Sequence, residues 1–86
     1  MLINKKRTDA VLDFIRYERG KQDEKWGEQN HDRGTWLHIL MEEIGEASKE
    51  QLEGNNDAFQ TELLQAGAVI VAWLECELRR NLESEQ

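Results

Sequence analysis

Between Leu63 and Leu74 the sequence reads Leu-Leu-Gln-Ala-Gly-Ala-Val-Ile-Val-Ala-Trp-Leu, with Gln65 as its one interruption. Wound into a helix, this run is apolar on every side, and such a helix has to be buried on every side. It is too short to cross a membrane, which takes roughly 18–20 residues. The chain has only 86 residues, and a domain of that size buries only about 60–65% of its unfolded surface. Cover for the run is therefore expected from the other helices and from a second copy of the chain. Gly67 and the neighbouring alanines allow helices to approach closely there.

The rest of the chain also reads as helix. Proline is absent and β-branched residues are scattered instead of alternating, which favours helix over strand. A first helix is expected from Asn4 or Thr8, both acceptable caps, with Asp9 in its first turn, and it runs to about Trp26. Ala10, Val11, Phe14, Ile15 and Glu18 define its stripe, and Gly20 costs it about 1 kcal/mol relative to Ala. Gly27 to Gly34 lacks periodicity and reads as a loop bracketed by glycines. Thr35 is expected to cap a second helix and Gly54 to end it, with Trp36, Leu40, Ile44 and Ala47 facing inward. Asn56 is expected to cap a third helix, with Asp57 in its first turn. Arg79 and Arg80 fall near its C-terminal end, where cations favour the dipole, and Glu83 to Gln86 are expected to fray. The expected fold is all-α: a single domain over residues 1–86, about three helices per chain, completed by homo-oligomerisation.

Eighteen acidic residues against eleven basic ones give a net charge of −7. A binder of nucleic acid polymers would show a basic face, so that class is excluded. A nucleotide as a small substrate is not, because a metal ion reverses the local sign. The single cysteine, Cys76, has no internal disulfide partner and reads as a buried small hydrophobe in a reducing compartment. Met1-Leu2-Ile3 is followed at once by Asn4-Lys5-Lys6-Arg7, too short for a signal-peptide core, and the expected location is cytoplasmic.

The acids carry the chemistry. At about 100° per residue, Glu43 lies roughly 20° from Trp36 on the second helix, inside its apolar stripe, and Glu46 flanks it three residues on. Glu62 sits early in the third helix, and Gln65 is three residues further. An antiparallel pairing across the turn at Gly54 to Asn56 lets the two pairs face each other. Three carboxylates and an amide oxygen form a set of hard ligands that suits magnesium or manganese, not zinc. In a chain with 18 acids the same pattern also fits a solvated acidic face. Trp26 and His31 are candidates to stack on or hydrogen-bond a base, and Lys21, Lys25 and Arg33 to neutralise phosphates. Trp26 is equally a core anchor by its position at a helix end. His38 reads as a surface residue, and Trp36 and Trp73 as core or interface. Glu28-x-x-His31 has di-iron spacing, but its flanking glycines place it in a loop and rule that reading out.

Glu43-x-x-Glu46, fifteen intervening residues, then Glu62-x-x-Gln65 resembles the E-x-x-E…E-x-x-D signature of MazG-like nucleoside triphosphate pyrophosphohydrolases, members of the all-α pyrophosphatase superfamily. The segment Glu18-Arg19-x-x-Gln22-Asp23-Glu24-Lys25-Trp26-Gly27-Glu28-Gln29 with His31 is similar to the first helix and loop of short phage and bacterial members. Glu62 to Glu75 and Arg79-Arg80 look like their last helix. The resemblance spans nearly the whole chain. It implies a dimeric or tetrameric helical bundle that cleaves a nucleoside triphosphate to the monophosphate and pyrophosphate. Glu43, Glu46 and Glu62 would then be Mg2+ ligands and catalytic, one of them also orienting the attacking water, and Gln65 would be the fourth ligand. Gln65 departs from the pattern, which has Asp there, and a neutral amide oxygen is a poorer partner for a divalent cation. Glu42 and Glu50 are the nearest acids to stand in for it. A non-catalytic oligomer of the same fold, binding nucleotide, metal or a protein partner, is the alternative.

Overall fold

A computed structural model describes residues 1–84; Glu85 and Gln86, in the segment expected to fray, lie outside the described residues. Among the described residues there are three helices and no strand: α1 (Lys5–Trp26), α2 (Arg33–Leu52) and α3 (Asn56–Ser84). Asn4 is the cap that α1 uses. Its Oδ1 accepts the Arg7 N–H at 2.9 Å, so Asp9 falls beyond the first turn, where it pairs with Lys5 at 2.7 Å. The helix closes at Trp26, and Gly27 leaves it at φ 69°.

The second helix begins earlier than the sequence suggested. Asp32, not Thr35, is its N-cap, and its carboxylate accepts the Thr35 N–H at 2.7 Å. That hydrogen bond holds the Asp32 carboxyl below its ordinary range. An Asp cap also meets the positive end of the helix dipole, which a Thr cap cannot match. Arg33 and Gly34 are therefore helical, and the connector shrinks to residues 27–32. At the other end Gly54 adopts φ 78°, and Asn55 N–H returns to Glu50 O at 2.9 Å, a glycine-centred stop. Phe59 N–H bonds to Asn55 O at 2.9 Å, so Asn55 flanks α3 and Asn56, expected as the cap, is its first helical residue. Asp57 is in the first turn as expected. Glu83 and Ser84 are helical, and Arg79 and Arg80 lie before the last turn.

The central element is α3. The second helix packs antiparallel on it, and the first packs parallel, with Ile15 over Gly67 and Arg19 bonded to Glu75 at 2.8 Å. A Cβ built on Gly67 would lie 3.0 Å from Ile15 Cδ1, so any larger residue there requires Ile15 to give way. No packing joins α1 to α2, and a cleft lies open between them. The core is Trp36, Val69, Ala72 and Cys76, with Ile39, Leu40 and Trp73 packed against it. Cys76 is fully buried, as expected of a small hydrophobe.

Two expectations about burial fail in the single chain. Of the α1 stripe only Ile15 and Glu18 are half-buried, while Val11 and Phe14 are exposed. On α3, Leu63, Ile70 and Leu74 remain 48%, 43% and 58% exposed. Two helices cover only one side of α3, so the opposite arc has nothing against it. The radius of gyration is 14.6 Å, against about 12 Å for a compact chain of this length. The accessible surface is 6751 Å², where a compact monomer of this mass exposes on the order of 5300 Å². Among the described residues no helix is long and apolar enough to cross a membrane.

Candidate metal centre

The α2–α3 hairpin brings Glu43, Glu46 and Glu62 together: each offers a carboxylate oxygen, and the three oxygens lie within 4.8 Å of one another. The i,i+3 spacing puts Glu43 and Glu46 on one side of α2. The tight turn at Glu53–Asn55 sets Glu62, two turns into α3, opposite them. Glu43 and Glu62 are half-buried and Glu46 is exposed. Burial is the main reason the Glu62 carboxyl is pushed up to about 7, followed by its hydrogen bonds to Glu43 and Glu46 and then by their charge. Burial also raises Glu43; the hydrogen bond from Glu62 opposes this, and the Glu46 and Glu42 charges add to it. Burial and the crowding of the three acids therefore favour a proton on Glu62 up to near neutral pH.

Gln65 belongs to this cluster. With its amide nitrogen turned to the acids, Gln65 donates to Glu62 Oε2 at 3.1 Å and to Glu43 Oε2 at 3.3 Å. Turned the other way, the same amide presents its oxygen to the position a cation would take. The two stand-in acids are occupied elsewhere. Glu42 pairs with His38, exposed as expected, at 2.9 Å, and Glu50 accepts from Asn55 at 2.8 Å.

The cluster adjoins the cleft between α1 and α2, a space of about 460 Å³. Lys21, Lys25 and Trp26 of α1 form one wall, Trp36, Ile39, Glu42 and Glu43 of α2 the other, with Gln65 and Val69 of α3 beneath. Lys25 Nζ lies 4.6 Å from the centre of the Trp26 ring, and that ring is 56% exposed. Three of the substrate-contact candidates, Lys21, Lys25 and Trp26, thus share a cleft with Glu43 and Gln65.

The other two are placed differently. Arg33, helical at the start of α2, makes a fork to Glu77 of α3, Nε to Oε1 at 2.9 Å and Nη2 to Oε2 at 3.1 Å. This pairing, with a further bond from Trp73 Nε1 at 3.1 Å, draws the Glu77 carboxyl down to about 2. Arg33 does not line the cleft. His31 reaches it only through Trp36: the rings meet edge to face with centroids 4.9 Å apart. His31 Nε2 and Trp36 Nε1 are both buried without a hydrogen-bond partner. Sequence reasoning read Trp36 as core or interface and missed it, with Ile39, as cleft wall. The spacing Trp36, Ile39, Glu43 (i, i+3, i+7) carried that signal, since it sets all three along one side of α2.

The donor set fits a hard divalent cation. It holds three carboxylates and an amide, with no histidine or cysteine, as magnesium and manganese prefer. Comparisons with family models, curated proteins and solved structures give no match.

Proposed function

We propose that the chain is a Mg2+-dependent nucleotide pyrophosphohydrolase of MazG-like type. It cleaves a ribo- or deoxyribonucleoside triphosphate between its α and β phosphates, leaving the monophosphate and pyrophosphate, and clears unwanted nucleotides from the cytoplasmic pool. The observation that carries this reading is the convergence of Glu43, Glu46 and Glu62, with Glu43 itself in the wall of a cleft whose other wall holds Lys21, Lys25 and Trp26. Glu43, Glu46 and Glu62 would hold the cation, with Mn2+ able to replace Mg2+. That ion would supply charge neutralisation at the phosphates and polarisation of the phosphorus. One of the three carboxylates would also orient the attacking water. Lys21 and Lys25 neutralise the phosphates from the facing wall, and Trp26 offers a ring face to the base. A cleft of about 460 Å³ falls in the range of roughly 300–1,000 Å³ that small-molecule sites occupy.

The same reading makes the protein a homodimer or homotetramer. Leu63, Ile70, Leu74 and Leu78 form an exposed stripe along α3, and Leu37, Met41 and Ile44 are exposed on α2. A second copy packed there would cover the arc that α1 and α2 leave open, and it would remove much of the excess surface.

A second reading keeps the fold and the oligomer but not the catalysis: a scaffold that binds nucleotide, metal or a protein partner. Gln65 favours it, because a neutral amide stands where the resembled pattern has a carboxylate, and an amide oxygen is a poorer partner for a divalent cation. Stoichiometric chain incubated with a panel of triphosphates, with and without Mg2+, separates the two. Monophosphate and pyrophosphate that appear only with Mg2+, and disappear in Glu46→Gln, are expected. No turnover with any base would leave the scaffold reading, and diphosphate with phosphate would contradict cleavage between the α and β phosphates.

A further inference from the structure

The connector between α1 and α2, residues 27–32, is tied down from the far side by α3. Arg79 Nε donates to Asn30 Oδ1 at 3.0 Å, and its Nη2 to the Gln29 carbonyl at 2.9 Å. Arg80 Nη2 donates to the His31 carbonyl, which also accepts the Cys76 thiol at 3.9 Å. A short connector outside any helix normally leaves its carbonyls to water. Here two carbonyls, of Gln29 and His31 on either side of Asn30, are claimed by guanidinium groups, and charge-assisted bonds of this kind are roughly twice as strong as neutral ones. This is not what the dipole argument expected of Arg79 and Arg80, which reach sideways to the connector.

The connector is also the end wall of the cleft. Gln29 lines it, Trp26 immediately precedes the connector, and the His31 ring is seated on the edge of Trp36. Neither Arg79 nor Arg80 lines that cleft. We propose that Arg79 and Arg80 are positioning residues for the cleft: by holding the connector they keep Trp26, Gln29 and the His31–Trp36 pair arranged to receive a nucleotide, without touching the nucleotide or the acid cluster. The proposal rests on the nucleotide reading above.

The test uses the full chain and two double variants, Arg79→Ala with Arg80→Ala and Arg79→Lys with Arg80→Lys. The probes are Mn2+ alone, followed by electron paramagnetic resonance, and a nucleoside triphosphate analogue with a methylene bridge between the α and β phosphorus atoms, followed by calorimetry in Mg2+. The alanine pair is expected to bind the analogue about tenfold more weakly, with Mn2+ affinity unchanged and faster amide exchange confined to residues 27–32. The lysine pair is expected to recover part of the loss, since it keeps the charge but not the planar fork. Unchanged analogue affinity in the alanine pair overturns the proposal alone. A parallel loss of Mn2+ affinity also overturns it, by exposing a general loosening of the fold. Failure of the unaltered chain to bind any analogue, with Mn2+ still bound, overturns the nucleotide reading and this proposal with it.

Discussion

Replacing Glu62 by glutamine should make the metal-free protein more stable at pH 8. The carboxyl of Glu62 is raised from 4.5 to about 7 in the folded chain, so between those values the folded state holds a proton that the unfolded chain has lost. Stability from the protonated carboxyl is fully present below pH 4.5 and is lost as pH rises through 7. Full linkage between those values would be worth about 3 kcal/mol. Glu62 is only half-buried, however, and solvent screening brings a realistic figure to about 1–2 kcal/mol. Glutamine keeps a hydrogen-bond donor for Glu43 and Glu46 but cannot ionise, so the variant avoids that loss. For a domain of this size each kcal/mol moves the melting midpoint by about 4–8 °C. Circular-dichroism melts in EDTA at fixed chain concentration should show variant and unaltered protein together at pH 4.5, with the variant higher at pH 8. Added Mg2+ at pH 8 should raise the unaltered protein and leave Glu62→Gln behind. A variant less stable than the unaltered chain at pH 8 in EDTA, or one with the same pH slope, would refute the reasoning.

Glu77→Gln removes the charged acceptor shared by Arg33 and Trp73, and it should destabilise the protein at pH 7. Because the Glu77 carboxyl is drawn down from 4.5 to about 2, the unaltered chain holds that advantage above pH 4.5 and loses it as pH falls through 2; urea unfolding at pH 7, 4 and 2 should show the gap closing. Gly67→Val should cost about 1–3 kcal/mol by driving Ile15 and α1 off α3. Gly67→Ala should come close to neutral, since its gain in helix propensity of about 1 kcal/mol opposes a small shift of a flexible Ile15; denaturant midpoints separate the two. Ile70→Glu with Leu74→Glu should leave a helical monomer by light scattering, whereas the unaltered chain runs as a dimer or tetramer; an unaltered chain that is already monomeric would count against the covered stripe.

Much of the fold could be read in advance because local chemistry decides it. The Asn4 cap, the stop at Trp26 and Gly27, the Gly54 turn and the absence of proline fix three helices and their order. The short turn after α2 makes its antiparallel pairing with α3 the expected one, and that pairing alone brings Glu62 and Gln65 opposite Glu43. What the sequence hid depends on contacts between distant residues. Thr35 looked like the cap because it sits beside the apolar run, yet Asp32 is a stronger acceptor and takes the N–H of Thr35 itself. Arg33 looked free to meet a phosphate because its partner Glu77 lies 44 residues away. Arg79 and Arg80 looked like dipole partners because nothing local shows that the connector returns to them. The apolar run of α3 implied burial all round, and one chain supplies cover for only part of it. Gln65 was legible as a neighbour of the acids.

Titration with Mn2+, read by electron paramagnetic resonance, tests the acid cluster most directly. One tight site per chain is expected at pH 8, abolished by Glu46→Gln and weakened at pH 5.5, where the Glu62 carboxyl keeps its proton. Several weak sites, indifferent to Glu46→Gln and to pH, would make Glu43, Glu46 and Glu62 a solvated acidic face and contradict the metal centre.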